Sequence, residues 1–251
     1  MVGVPGDNEK TIKKTMELNR LLNPDHISLS IFQPFPGTEL YEKCRREGLL
    51  LERPATSIFF YQPRVKLPDL SDEKFNQLFQ EFRKWGWIWS ARKRKKGYFD
   101  LCANFDKAKI KEGGDGYVQI MLTRVRGKDR MSILIHPPSR VSWKVEIKPH
   151  TKLIFGASFS PDVWDKPGEG CWYLVKVKTR LGKEKVVFSH YLDPKHNPDE
   201  RKWNDFMVDL GQFAGKKVGL ILETKTERSN DWCVAFWSRP YLTQGEKDGD
   251  F

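Results

Sequence analysis

The sequence predicts an α+β protein of two domains, with βα units in residues 1–97 and an antiparallel β-sandwich of the jelly-roll type in residues 98–251. Two observations carry this prediction. The first 97 residues place helix-spaced apolar side chains between glycine–proline turns. After Gly97, short runs of alternating apolar residues recur with turn residues between them. We therefore set the domain boundary at Gly97, which follows the basic run at 92–96.

The N-terminal domain begins with a helix, a strand and a second helix. Asn8 can cap the first helix, and Asn23-Pro24 ends it because proline lacks an N–H group and restricts the residue before it. Residues 27–31 alternate between Ile or Leu and Ser, which predicts a strand. Thr38 can cap the second helix, and Gly48 can end it.

Residues 49–70 carry three prolines and are predicted to be irregular. Ser71 caps a third helix, whose first turn carries Asp72 and Glu73 where the helix dipole favours acidic side chains. Its apolar stripe predicts packing and consists of Phe75, Leu78, Phe79, Phe82 and Trp85. Aromatic residues beside the basic run at 92–96 are compatible with binding RNA or a membrane surface, but we favour a solvated helix end and do not expect a nucleic-acid partner.

The C-terminal domain carries ten predicted strands. In each of the clearest, one set of alternating residues is apolar, as in Tyr173, Val175 and Val177, while Lys176 and Lys178 share the other face. The spacing and the lack of helical periodicity predict a β-sandwich. The strands are expected near 98–104, 117–124, 132–136, 141–147, 152–159, 171–179, 185–191, 204–209, 217–224 and 233–238.

The two N-terminal turns carry a family resemblance. The first contains Pro5-Gly6-Asp7, and the second runs from Pro34 to Tyr41 as PFPGTELY. Together they resemble the last third of a radical-SAM barrel, closest to the group that includes cobalamin-associated enzymes and methylthiotransferases. That family carries a GxPGET turn after its fifth barrel strand and a PxPGTxLY turn after its sixth. Asp7 stands where the family usually has Glu.

The resemblance implies S-adenosylmethionine and an iron–sulfur cluster as cofactors of the intact family. The positions that match its cofactor-binding turns are Gly3, Pro5, Gly6, Asp7, Phe32 and Pro34. Such a cluster needs three convergent thiolates in a CxxxCxxC motif. The four cysteines here are scattered, at Cys44, Cys102, Cys171 and Cys233. We therefore expect a C-terminal fragment of such an enzyme, inactive in this form, with no catalytic residue, no metal site and neither cofactor bound by this chain alone.

The end of the chain carries a second resemblance. A set of segments here is similar to the pattern of galactose-binding-like jelly-roll modules. It consists of Trp203, Val208-Asp209-Leu210, residues 213–218 and residues 235–240. This resemblance implies a glycan or cell-surface ligand and is the alternative to the radical-SAM hypothesis. Sugar sites need an exposed aromatic platform flanked by polar groups. The candidate platforms are Trp172, Trp203 and Trp232.

Charge and composition set the remaining expectations. The net charge of +11 is spread over both domains, because Lys and Arg outnumber Asp and Glu by 18 to 12 in residues 1–97 and by 26 to 21 in residues 98–251. This favours weak attraction to polyanions, so a basic RNA-binding or membrane-surface protein is the second alternative. The few scattered cysteines and the lack of a long apolar run predict a cytoplasmic protein without a transmembrane segment.

Overall fold

A computed structural model of the chain describes residues 1–51, 63–114, 116–180 and 182–244. The chain divides into two compact units, residues 1–90 (unit 1) and residues 91–251 (unit 2). Part of the irregular stretch predicted at 49–70 lies outside the described residues.

Unit 1 contains the three predicted helices. Helix α1 is Glu9–Leu22, α2 is Glu39–Arg46, and α3 is Asp72–Lys93, which runs past the end of the unit. Asn8 caps α1 through its side chain, which accepts a hydrogen bond from the Thr11 N–H, and Thr38 caps α2 in the same way. The helix predictions are confirmed.

The strand predicted at 27–31 is wrong. Its segment is extended but forms only a single parallel bridge, between Val2 and Ile31. The Val2 N–H donates to the Ser30 carbonyl at 3.0 Å, and the Phe32 N–H donates to the Val2 carbonyl at 2.8 Å. Ile27 and Phe32 are buried in the core of the unit, so the apolar residues pack without a full ladder. The alternation of residues 27–31 could not show that neighbouring backbone pairs with this segment at a single bridge only.

The described part of unit 2 forms eleven strands. They are β1 (Phe99–Asp100), β2 (Lys109–Lys111), β3 (Val118–Val125), β4 (Lys128–Ile135), β5 (Ser139–Glu146), β6 (Thr151–Phe159), β7 (Cys171–Lys178), β8 (Glu184–Leu192), β9 (Asn204–Asp209), β10 (Lys217–Lys225) and β11 (Ala235–Gln244).

The strands form two antiparallel sheets. One has the order β3-β4-β11-β6-β9, with β1 also paired to β11, and the other has the order β2-β5-β10-β7-β8. Large aromatic side chains fill the space between the sheets: Trp143 of β5, Tyr173 of β7, and Trp237 of β11 against Phe155 of β6. The predicted β-sandwich is confirmed as the architecture of unit 2.

The structure departs from the strand predictions at β1, β2, β4 and β11. Strand β4 begins at Lys128, four residues before the predicted start at 132. The strand at 98–104 shrinks to the two residues of β1, because turns occupy the next four residues. Strand β2 was not predicted, since Lys-Ile-Lys offers one apolar residue and no alternation. Strand β11 continues six residues beyond Ser238. A bulge there, with Arg239 at φ 45°, lets the strand carry Pro240, a residue that usually ends a central strand.

Candidate functional site

The outer face of the five-stranded sheet is the candidate site. Successive side chains of a strand point to opposite faces, so the residues that alternate with the core positions of β5, β7 and β10 lie on this outer face. The register sets Lys144 of β5, Gly219 of β10 and Lys178 of β7 in one row. Lys225 lies six residues beyond Gly219 along β10, which is about 20 Å, and it pairs with Trp172 of β7. Tyr191 of β8 extends that second row.

A trough crosses this face at the first row. Gly219 has no side chain, so the space between Lys144 and Lys178 stays open above the sheet. The cavity has a volume of about 720 Å³, within the usual range of ligand sites. Its other lining residues are Phe99, Lys107, Lys109, Arg140, Ser142, Trp143, Glu184 and Ile221. Five of the eleven lining residues are therefore cationic, and one is acidic.

Ion pairs neutralise only part of this charge. The Arg140 guanidinium lies 2.9 Å from the Glu184 carboxylate and 3.6 Å from that of Glu223, which also pairs with Lys176 at 2.8 Å. Arg140 and Glu184 stand on strands three positions apart in the sheet, so their pair reaches across the trough. Among the described residues, Lys109, Lys144 and Lys178 have no carboxylate partner. The trough thus keeps an excess of positive charge.

An aromatic pair stands at the far end of the outer face. The rings of Trp172 and Tyr191 lie 5.3 Å apart between centroids, and both are partly exposed. The Trp172 indole N–H donates to the Glu227 carboxylate at 3.1 Å, and the Gly170 N–H donates to the Tyr191 hydroxyl oxygen at 3.1 Å. These bonds fix an aromatic surface with a carboxylate at its edge.

The loop that carries Trp232 is fixed from the same end of the sandwich. The Glu169 carboxylate accepts hydrogen bonds from the backbone N–H groups of residues 227–229. These bonds lower the pKa of Glu169, and the bond from Arg228 has the largest effect. The Lys195 ammonium donates to the carbonyls of Pro167 and Asp231 at 2.8 and 3.3 Å, and burial lowers its pKa. Trp232 has 51% of its surface exposed.

Trp203, the third predicted platform, is covered. Only 7% of it is exposed, and its indole N–H donates to the Lys128 carbonyl at 3.1 Å. The guanidinium of Arg130 lies 5.3 Å from its ring centroid and forms a bidentate ion pair with Asp205. Trp203 therefore packs on the other sheet, away from the outer face that holds Trp172.

The turn residues of unit 1 follow a single parallel bridge between Val2 and Ile31. The segments of Gly3 and Phe32 leave this bridge in the same direction and lead into the turns that contain Pro5, Gly6 and Pro34. The Asp7 carboxylate is already engaged: it accepts from the N–H groups of Gly3 and Val4 at 2.7 and 3.2 Å, and from the Thr11 hydroxyl at 2.9 Å.

The cysteines Cys44, Cys102, Cys171 and Cys233 are free and buried. Burial raises the pKa of the Cys44, Cys102 and Cys171 thiols. In the part of the chain that the structure describes, His, Cys, Asp and Glu side chains form no group of three that could hold a metal ion. Of the helices in the described ranges, none combines the length and the apolar character needed to span a bilayer.

Sequence reasoning found the aromatic residues Trp172 and Trp232 but missed the trough. Its signal was present as lysines at the polar positions of alternating segments, such as Lys176 and Lys178. What the sequence lacked was the register that brings Lys144 and Gly219 into the same row from distant parts of the chain.

No family model matches the chain. A protein of Archaeoglobus fulgidus described as uncharacterised is 45% identical over 102 residues, which make up 39% of this chain and 25% of that protein. The match thus spans about a quarter of the relative's length.

Solved structures with some similarity include carbohydrate-binding modules. A family 51 module from Clostridium perfringens ZmpB, solved with GlcNAc and INT domains, gives a TM-score of 0.37 at 17% identity over 54% of this chain and 29% of that one. TmCBM61 with β-1,4-galactotriose gives a TM-score of 0.39 at 10% identity, over 60% of this chain and 100% of that one. The family 51 module from Clostridium perfringens GH95 with methyl-galactose gives a TM-score of 0.35 at 16% identity, over 54% of this chain and 88% of that one. These values are too low to transfer a ligand to this chain, whose own topology defines an antiparallel β-sandwich.

Proposed function

We propose that unit 2 is a carbohydrate-binding module that holds sugar rings at the aromatic end of its outer face. The observation that carries the proposal is the partly exposed Trp172–Tyr191 pair with the Glu227 carboxylate at its edge. The apolar C–H face of a pyranose ring stacks on an aromatic ring, while its hydroxyls need hydrogen-bonding groups around that ring. Glu227 supplies an acceptor, and Lys225 in the same row supplies a donor.

Trp232 provides a second aromatic surface for a longer glycan. Half of its surface is exposed, and the bonds from Glu169 and Lys195 hold the surrounding loops in place. A rigid aromatic side chain loses little conformational entropy when a ligand stacks on it, which favours binding. We assign Trp203 to structural support because its ring is covered.

Titration calorimetry of the full chain with galactose and N-acetylglucosamine oligosaccharides tests the proposal. We expect saturable binding that Trp172→Ala weakens at least tenfold. Phe35→Ala is the matched control, since Phe35 is an exposed aromatic residue of unit 1, and it should bind like the wild type. The proposal fails if no oligosaccharide binds, or if Trp172→Ala binds as well as the wild type.

As a second candidate, we propose that the start of unit 1 descends from a radical-SAM barrel whose other strands are not in this sequence. The observation that supports the proposal is the parallel bridge from Val2 to Ile31, from which the two resembling segments run on in the same direction into their turns. The activity and cofactors would belong to the longer enzyme. Genomic sequence upstream of Met1 tests this proposal: an in-frame CxxxCxxC supports it, and a reading frame without that motif counts against it.

A further inference from the structure

The trough of the outer face carries charge that binding to neutral sugars does not use. Lys144 and Lys178 flank Gly219 in one row, two strand spacings apart, or about 10 Å. Lys109 lies one row further along and one strand outward, paired with Ser142. All three ammonium groups are exposed and lack a carboxylate partner among the described residues. Placing like charges around one open cavity disfavours the free protein slightly and favours an anionic occupant.

We propose that the trough binds the anionic groups of an acidic polysaccharide, that is, the uronate carboxylates or sulfate esters of a linear glycan. This inference rests on the proposed function, since it extends the glycan from the Trp172 end of the outer face into the trough. A polymer with charges at regular intervals can place one anion near Lys144 and Lys178 and another near Lys109.

Arg140 adds a second element to the site. In the free protein its guanidinium pairs with Glu184 across the trough, at 2.9 Å, with both side chains about one-third exposed. A carboxylate or sulfate ester entering the trough competes with Glu184 for the same guanidinium, which prefers planar or forked oxygen acceptors. The Glu184 carboxylate is thus a built-in competitor of the ligand. Removing its charge should strengthen the binding of acidic glycans, whereas removing a lysine should weaken it.

A nucleic acid is the other polyanion to consider, and the lining of the trough disfavours it. Binding of single strands relies on exposed aromatic rings on which bases stack. The lining contains two aromatic residues, Phe99 and Trp143, and Trp143 belongs to the buried core with its indole N–H donating to the Asn104 carbonyl. The floor is instead formed by Gly219 and Ile221. Such a surface suits a chain that presents charge without flat bases.

The experiment measures binding of the full chain to four probes by titration calorimetry: polygalacturonate, dextran sulfate, neutral galactan and polyuridylate. We expect one of the acidic glycans to bind at least fivefold more tightly than galactan at low salt. That advantage should shrink as added salt screens the exposed charges. Polyuridylate should bind more weakly than the better acidic glycan.

The variants have opposite expected signs. Lys144→Gln combined with Lys178→Gln should weaken binding of the acidic glycan about 3- to 20-fold, as expected for the loss of two exposed ion pairs. Glu184→Gln should strengthen it about 2- to 5-fold. Lys202→Gln is the matched control, because this exposed lysine precedes β9 of the other sheet. None of these changes should alter galactan binding more than twofold.

The outcomes separate this inference from the proposed function. Binding of galactan without any advantage for acidic glycans overturns the inference and leaves the proposed function standing. Absence of binding to all glycans overturns both. Tightest binding to polyuridylate, or an acidic-glycan affinity that the lysine pair and Glu184→Gln leave unchanged, overturns the inference in favour of a different polyanion or a different surface.

Discussion

The buried ion pair between Arg130 and Asp205 supports the sheet opposite the candidate site. Arg130 is 5% exposed, and its guanidinium forms two hydrogen bonds to the Asp205 carboxylate while lying against the ring of Trp203. Gly156 lies beneath the pair, where an added Cβ atom would sit 2.7 Å from both Arg130 Nη1 and Asp205 Oδ1. The backbone at Gly156, the ion pair and the indole of Trp203 are therefore closely packed.

Asp205→Ala leaves the buried guanidinium without its counter-charge. Breaking a buried pair costs about 3–5 kcal/mol, and the lower value applies here because about a quarter of the Asp205 side chain reaches solvent. For a unit of this size, about 3 kcal/mol corresponds to a decrease of roughly 6–12 °C in Tm. Arg130→Met with Asp205→Leu removes both charges and should recover at least half of that loss, because no buried charge remains unpaired.

Urea and thermal unfolding of the full chain, followed by near-ultraviolet circular dichroism, measure these changes. Oligosaccharide binding by the folded Asp205→Ala variant should match the wild type, since the pair lies on the other sheet. A loss below about 1 kcal/mol, or a double variant no more stable than the single one, would refute the argument that the pair is buried and coupled. Loss of sugar binding by a folded Trp203→Phe variant would show that Trp203 is a platform after all.

Three further predictions follow from the contacts described above. Glu169→Gln should weaken oligosaccharide binding several-fold while Tm changes by a few degrees at most, because the loop of residues 227–229 loses its carboxylate anchor; calorimetry and a melting curve of the same sample measure both. Burial lowers the pKa of His136, so the folded state resists protonation more than the unfolded state. The free energy of unfolding should therefore be at its full value above about pH 6.5 and should decrease as the pH falls. Melting curves of His136→Gln should show a Tm that depends less steeply on pH. Anaerobic incubation with iron and sulfide should give no cluster, because the thiols are buried and no three of them converge among the described residues. Charge-transfer absorbance that Cys44→Ala abolishes would contradict this.

Local sequence patterns accounted for most elements of unit 2. The strand at 204–209 was predicted with its observed bounds, and the strands at 152–159 and 171–179 were each within one residue. The failures were non-local. Alternation at 27–31 could not show that the segment has a single bridging partner, and a proline at 240 could not show that a bulge would accommodate it.

The candidate site divides in the same way. An exposed tryptophan and a buried one look alike in the sequence, so Trp203 and Trp232 could be distinguished only when their packing was known. The trough depends on the pairing of β5, β10 and β7, whose central residues are separated by tens of positions along the chain. No local signal reports such a register, and the sequence alone showed only that Lys176 and Lys178 share the polar face of one strand.

The distance between the two parts of the outer face determines how they act together. The Trp172 row and the Gly219 row lie about 20 Å apart on one sheet, so a single sugar reaches one of them and a longer chain reaches both. Once one end of a glycan is bound, the second contact forms at a high effective concentration on a surface that is already ordered. Affinity for acidic oligosaccharides should therefore rise with chain length until the glycan spans about 20 Å, and should then level off. In Trp172→Ala, or in the Lys144→Gln and Lys178→Gln double variant, that rise should disappear, because only one contact remains. Calorimetry with size-fractionated oligogalacturonates measures the curve, and an affinity that does not depend on length in the wild type would show that the two parts of the face bind separately.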